Sequence, residues 1–370
     1  MTSEKNEARQ QVSGEFGFNF EEVLVNSEAA LQFLCSSYIF SSILFTATEL
    51  SVFDCLVNAP KTCEQIATQI EVPVDALERL LIAITAMGLV ERDSTGNYCN
   101  SELATRFLTT ESSQSICSLL LFYKRCYNLF GYLSESIKTG KLQVDKYELF
   151  KNHHNLQDFY TELTQYPEEY FIFLEVMNIS SAGIGEAIAK QVDFGNIKQL
   201  IDLGAGGGQV SIELARIFPH LSITMVDLPL SCNFIEQRIK ENELTQQIRS
   251  ISGDIFQDAW NELKPADAVL LSGILADWNA AQRRQILHNS WNLLKPGGQL
   301  LISETLFNEQ KTGPVSPAIL SLFMLLFMQG NNFTPSEISL MLQEAGFVEI
   351  NFFLKRETGV RDLIVARKPY

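Results

Sequence analysis

Positive charge is what this 370-residue chain has least of: 28 Lys and Arg stand against 44 Asp and Glu, a net charge of −16. Phosphate contact requires basic surface, so neither a nucleic acid nor an anionic membrane is expected as a partner. Paired cysteines are missing as well. The seven (Cys35, Cys55, Cys63, Cys99, Cys117, Cys126, Cys232) form an odd set with no C-x-x-C spacing, the pattern of reduced cytoplasmic thiols packed as small hydrophobes. No apolar run is clean and long enough to read as a membrane span. Ala29 to Leu50 is dotted with serine and threonine, and Ile319 to Met328 reaches only about half a span, so both read as buried helices. The N-terminus is polar and charged, without the look of a signal peptide. Histidines at metal-ligand spacing are also lacking: His153-His154 are adjacent with no further partners, and no metal is expected.

What is present is apolar and long. With 46% hydrophobic residues the chain can fill two sizeable cores, and its length suits two domains. Residues 1–18 are polar and read as a flexible terminus. From Phe20 to Leu56 the pattern is helical and unusually apolar (Phe33, Leu34, Tyr38, Ile39, Ile43, Phe45), more than a small helical domain hides, so a second subunit is expected to cover part of it. Thr62-Cys-Glu-Gln begins a short helix with a capping box. Val74 to Met87 is a second helix ending at Gly88, and Leu89–Arg92 with Tyr98-Cys99 flank a turn. Together these make a winged helix-turn-helix. Between residues 61 and 100, however, three bases (Lys61, Arg79, Arg92) face six acids (Glu64, Glu71, Asp75, Glu78, Glu91, Asp93), so the module reads as a dimerisation scaffold, not a DNA reader.

The rest of the chain is organised around KQLIDLGAGGGQVSIELARIFPHLSITMVDLP, residues 198–229. It predicts a strand (Leu200 to Leu203), a tight glycine turn, a helix (Val210 to Phe218) and a second strand ending in Asp227. Glycines let a ligand approach main-chain N–H groups, and a strand-end acid can accept hydrogen bonds from a ribose diol. Dinucleotides and S-adenosylmethionine both use this layout. Asp202, two residues before Gly204, would repel a pyrophosphate but can help hold a ligand carrying an amino group and a sulfonium. That favours S-adenosylmethionine. The α/β alternation continues with a helix over Cys232–Glu241, strands over Ile248–Gly253 and Ala266–Leu271, a helix over Ala280–Leu294, a turn at Lys295–Gly298, and a strand over Leu300–Glu304. A helix over Pro335–Ala345 and a closing strand pair follow. Asp254, with Ile255 and Phe256 behind it, can bond and pack an adenine.

On these motifs the chain resembles a class I S-adenosylmethionine-dependent methyltransferase. From about Phe20 onward it is similar to the dimeric small-molecule O-methyltransferase family of caffeate-type plant enzymes and bacterial polyketide-tailoring enzymes. The matching stretches are TELSVFDCL, LERLLIAITAMGLVER, LIDLGAGGGQ, VDLP, GDIF, ILADW, LKPGGQLLISE and FTPSEISLMLQEAGF. The resemblance implies an α/β fold: a Rossmann-like S-adenosylmethionine domain (187–370) preceded by an all-helical winged-helix dimerisation domain (19–110). A helical linker and acceptor-pocket region (111–186) would join them. It implies a cofactor site from Asp202, Gly204, Gly206, Asp227, Leu228, Asp254, Ile255, Phe256 and Ser272. It implies an acceptor pocket lined by the helix around Met177 and by a lid carrying Met324 and Met328. The implied partners are a small-molecule acceptor and a second copy of the chain.

Departures from the family pattern bear on chemistry. Where the family keeps a histidine base before the Asp of ILADW, this chain has Ala276, then Asp277 and Trp278. Ser272 stands where plant relatives place a lysine. Glu304 remains where the family keeps an acid that flanks the base. Asp277 and Glu304 are therefore the candidate catalytic groups. Bacteriochlorophyllide C-methyltransferases also resemble this family and lack that histidine, so carbon or nitrogen acceptors stand beside hydroxyls. A member that binds the cofactor but catalyses hydroxylation or a pericyclic step is the alternative.

Overall fold

The computed structural model describes residues 27–147, 150, 159–256, 263–355 and 359–370. The expected terminal segment 1–18, the helix start near Phe20 and His153-His154 lie outside the described residues. The chain forms two compact units that part between Asn128 and Leu129.

The first unit is helical with one hairpin. Ser27 caps α1 (Glu28–Glu49) by accepting from the Ala30 N–H at 3.2 Å. Only Phe45, Ala47 and Thr48 of α1 are buried, while Leu31, Phe33, Leu34, Tyr38, Ile39 and Phe40 are exposed. The reading of Ala29 to Leu50 as a buried helix therefore does not hold within one protomer, where most of its apolar side chains are bare. Its length and apolar composition also pass for a membrane span, the one unbroken helix among the described residues to do so. A short α2 (Val52–Cys55) leads to α3 (Cys63–Gln69), which has the capping box expected of it: the Gln65 N–H donates to Thr62 Oγ1 and the Thr62 N–H to Gln65 Oε1. On α4 (Val74–Ala86) Leu77, Leu81 and Ile84 recur at helical spacing and fill the core with Phe53, Ile66 and Tyr98. Strands β1 (Val90–Arg92) and β2 (Tyr98–Asn100) form the wing, with Val90 opposite Asn100. Helices α5 (Glu102–Phe107) and α6 (Cys117–Phe130) follow.

The second unit begins with α7 (Leu133–Thr139) and three helices, α8 (Phe159–Leu163), α9 (Pro167–Ser180) and α10 (Ile184–Gln191). Gly183, at φ +84°, breaks the last two apart, and the Glu213 carboxylate accepts from the N–H groups of Gly183 and Gly185 at 2.9 and 2.8 Å. The boundary expected near Ala187 therefore falls inside one packed unit. Its cause is the docking of α9 on the α/β part, where the Tyr170 hydroxyl meets Ser231 Oγ at 2.7 Å and Phe171 stacks on Phe234.

Then β3 (Gln199–Leu203), α11 (Gln209–Ile217), β4 (Ser222–Asp227), α12 (Pro229–Glu241), β5 (Ile248–Ser252), β6 (Ala266–Ser272), α13 (Ala280–Asn292) and β7 (Leu294–Glu304) alternate. Helices α14 (Val315–Phe327) and α15 (Pro335–Glu344) precede β8 (Val348–Phe353) and β9 (Asp362–Arg367). The seven strands run in the order β5-β4-β3-β6-β7-β9-β8. The first five are parallel and the last two antiparallel. Both faces are covered, so strand residues of either parity are buried: Ile201 and Leu203 in one core, Leu200 in the other. That two-sided burial explains the unbroken apolar runs of β3 and β6. The expected turn at Lys295–Gly298 falls within β7 as a bulge: the register with β6 jumps from Ala266 opposite Leu294 to Ala268 opposite Gln299, and Gly297 takes φ +76°. Chain order reverses between β3 and β6, and a crevice opens at the C-terminal ends of the strands there.

Candidate active site

The crevice is a cavity of about 1140 Å³, its open mouth included. Its floor is the turn after β3. Gly204 has φ +81°, and a Cβ there would meet Ile274 Cδ1 at 2.5 Å. A Cβ on Gly207 would meet the Asn178 amide at 2.2 Å. Gly204 needs glycine for its left-handed backbone, whereas at Gly207 a side chain would have to push the Asn178 amide aside. The turn is strapped to β4: the Gly206 N–H donates to Asp227 Oδ2 and the Leu228 N–H to Asp227 Oδ1, each at 2.7 Å. Arg238 braces it from below, donating to Gly207 O and Gln209 Oε1. A carboxylate has about four acceptor positions, so Asp227 keeps capacity for a diol. Burial pushes its pKa up, against the pull of Ser231 and the two N–H donors.

Asp202 is 2% exposed and lines the cavity. Ser211 Oγ donates to its Oδ2 at 2.6 Å, while Oδ1 has no partner. Burial, with the Asp227 charge adding to it and Ser211 opposing, pushes its pKa up to about 7. Asp254, Ile255 and Phe256 form the wall beyond β5. The Phe256 N–H donates to Asp254 Oδ1, Asn289 Nδ2 donates to Ile255 O, and the Phe256 ring meets Trp278 edge-on at 4.7 Å. Ser272, at the end of β6, offers the cavity a buried hydroxyl with no partner. All nine expected cofactor residues line this one cavity, as do Met177 and Asp277.

The other expected residues lie elsewhere. Met324 and Met328 do not line it; Phe327 of α14 packs with Phe159, Tyr147 and Phe150 in an aromatic cluster, 5.4 Å from Phe159, and Phe159 in turn touches the lining residues Tyr160 and Phe173. Glu304, 1% exposed, is also off the cavity. Its Oε1 accepts from the N–H groups of Leu275 and Ala276 at 2.8 and 3.3 Å, so it holds the Leu275–Asp277 turn and does not face an acceptor. Arg283 grips the same turn from its other side. Its Nε donates to Leu275 O, and Nη2 donates to Asn331 O and Oδ1. Gly330 presses close against it, since a Cβ there would meet Ala276 O at 1.9 Å.

Held in this way, Asp277 faces Tyr160, whose hydroxyl donates to Asp277 Oδ2. The Tyr160 ring packs on Trp278 and Phe173 at 5.7 and 5.9 Å. Tyr160 escaped the sequence reading because it is 117 residues from Asp277 and no local motif marks it. Among the described residues, none that lines the cavity is a histidine. His288 is exposed beside Asn292, as its place on α13 suggested, and His220 bonds Phe194 O.

Two family models match the chain. The O-methyltransferase domain covers residues 130–348 and the O-methyltransferase dimerisation domain covers residues 33–110.

The chain belongs to the O-methyltransferase family.

This methyltransferase is 30% identical to the acetylserotonin O-methyltransferase of Gallus gallus over 90% of its own length and 95% of that protein. It is 31% identical to the 3-hydroxy-5-methyl-1-naphthoate 3-O-methyltransferase of Streptomyces sahachiroi, over 88% and 91%. The crystal structure of human N-acetylserotonin methyltransferase in complex with SAM superposes with a TM-score of 0.81 at 28% identity, covering 94% and 99% of the two chains. It is an S-adenosylmethionine-dependent enzyme, with a helical dimerisation domain ahead of an α/β methyltransferase domain.

Proposed function

We propose that the protein methylates a hydroxyl of a small, flat, apolar metabolite and does so as a cytoplasmic homodimer. One observation carries the site assignment: all nine residues expected around the cofactor line a single cavity at the reversal point of the sheet. S-adenosylmethionine fits the groups there. The partnerless Asp202 Oδ1 suits the ammonium of the cofactor's methionyl part, and Asp227 suits the ribose diol. Phe256 and Ile255 suit the adenine ring. When bound, the cofactor supplies an electrophilic methyl on a sulfonium. The protein's part is to exclude water, orient the acceptor for in-line attack and hold its proton.

Acceptor class follows from the walls. Tyr160, Phe173, Met177 and Trp278 offer flat or soft apolar surface beside Asp277, and the relatives' names describe aromatic hydroxyl acceptors. Asp277 is the carboxylate we assign to the reacting end, and Glu304 its positioning group. Two copies meeting through α1 would cover the bare Phe33, Leu34, Ile39 and Phe40, in keeping with the dimerisation model over residues 33–110. All seven cysteines are free, which fits a reducing compartment.

The test is titration calorimetry with S-adenosylmethionine, followed by assay of S-adenosylhomocysteine release with N-acetylserotonin and with 3-hydroxy-5-methyl-1-naphthoate. The Asp227→Ala variant should bind S-adenosylmethionine more weakly by about 1–3 kcal/mol, the cost of leaving buried hydroxyls unpaired. Wild-type affinity in that variant would remove Asp227 from the site.

A further inference from the structure

We propose that Tyr160 is a catalytic residue: its hydroxyl takes the acceptor's proton as it passes its own to Asp277. The proposal rests on the reading above that a hydroxyl acceptor enters the cavity beside Asp277.

Among the described residues, those on the cavity wall that can hold a proton are few, and most have another task. Asp227 is bound to the glycine turn, Asp202, held by Ser211, is the group assigned above to the cofactor's ammonium, and Ser272 is a simple alcohol with no acid hydrogen-bonded to it. Tyr170 meets Ser231. Asp254 is exposed and accepts from the Phe256 N–H. Ala276 offers a methyl group, and Glu304 faces the backbone of the turn. The Tyr160–Asp277 pair remains, on the wall and within the aromatic box of Trp278 and Phe173.

The state of the pair sets the direction of proton flow. Burial, and then the Asp277 charge beside it, pushes the Tyr160 pKa well above the ordinary value. Tyr160 is thus a neutral hydroxyl and not a standing phenolate, so it passes a proton without storing a negative charge. A carboxylate is by itself a poor match for a phenol, whose pKa is about 10 against about 4. The mismatch shrinks during transfer, because the hydroxyl proton becomes strongly acidic as the oxygen bonds carbon. The acceptor oxygen forms its bond to the methyl carbon while the sulfur–methyl bond breaks, its electron pair staying on sulfur. The acceptor's O–H breaks and its proton bonds Tyr160 Oη. The proton formerly on Oη bonds Asp277 Oδ2. The products are the methyl ether, S-adenosylhomocysteine and a protonated Asp277, which returns its proton to water when the product leaves.

Two phenolic probes of unequal acidity test this with the purified full chain at pH 8. One is 4-nitrophenol, which is already ionised there. The other is 2-naphthol, which is not. Release of S-adenosylhomocysteine is followed for wild type, Tyr160→Phe, Asp277→Asn and the double variant, each rate taken relative to wild type on the same probe. Tyr160→Phe should lower kcat/KM for 2-naphthol by about 100-fold or more, the range for losing a proton-transfer group, and should barely change it for 4-nitrophenol. S-adenosylmethionine affinity should stay at the wild-type value. The double variant should be no worse than the worse single one, because the pair acts as a unit. Equal losses on both probes would mean Tyr160 only shapes the wall, and that overturns the relay, as does an undiminished rate with 2-naphthol. A wild-type enzyme that binds S-adenosylmethionine but turns over neither probe marks failure of the hydroxyl-transfer reading itself, and the relay falls with it.

Discussion

Asp202 shows how one buried side chain can tie ligand binding to pH. Its pKa is pushed up to about 7 by burial, so the free protein keeps it largely neutral below that pH. A folded-state value above the unfolded one, near 3.9, contributes stability that is complete at pH 4 and is lost as pH rises through about 7. An ammonium at Oδ1 favours the ionised form and reverses that loss. S-adenosylmethionine should therefore raise Tm more at pH 8 than at pH 6, and Asp202→Asn should abolish the difference in thermal-shift measurements. Gly207 sets a second expectation. A Cβ there would overlap the Asn178 amide at 2.2 Å, so Gly207→Ala should force the Asn178 side chain out of its place against the turn. A loss of about 1–3 kcal/mol is expected by denaturant unfolding, in the range for overpacked sites. A third concerns histidine. His220 and His288 lie away from the cavity, so His220→Ala and His288→Ala should keep turnover within a few-fold of wild type in the S-adenosylhomocysteine assay.

At the scale of elements, the Leu275–Asp277 turn is held between a buried acid and a buried base. Glu304 takes two of its N–H groups, and Arg283 takes a carbonyl and ties the turn to Asn331. Burial pulls the Arg283 pKa down to about 10, with Glu304 and Asp277 opposing, so it remains a cation at neutral pH. Removing one partner leaves the other's polar groups buried and unmatched. Glu304→Ala should lower kcat while leaving S-adenosylmethionine affinity unchanged, because the turn orients Asp277 and not the glycine loop. Steady-state kinetics beside calorimetry would separate the two. Much of this architecture was legible in the sequence because its signals are local. The run from Leu200 to Asp227 carries strand, turn and helix periodicity within thirty residues, and Thr62 with Gln65 spells out its own cap. Lys295–Gly298 lies inside the bounds of β7 but has no register partner in either neighbour there: the register with β6 stops at Leu294 and resumes at Gln299, and that with β9 begins at Gln299, so the Pro-Gly-Gly turn bulges out of the strand. The Tyr160–Asp277 contact and the aromatic cluster of Tyr147, Phe150, Phe159 and Phe327 were illegible for another reason: they depend on which distant helices meet, which no short window encodes.

The molecule as a whole divides its work between a sheet that gathers polar groups at one end of its strands and a helical unit whose first helix faces outward. Exposed Phe33, Leu34, Ile39 and Phe40 stand on α1 with almost nothing of their own protomer over them. Light scattering should find a dimer at micromolar concentration, and Phe33→Asp combined with Ile39→Asp should shift it to monomer. The net charge of −16 keeps such particles from clumping further. That bare stripe also makes protomer concentration a variable of state. Where the folded form is completed only by association, mass action links unfolding to dilution. Tm should climb with protein concentration, and the Phe33→Asp, Ile39→Asp variant should show no such climb.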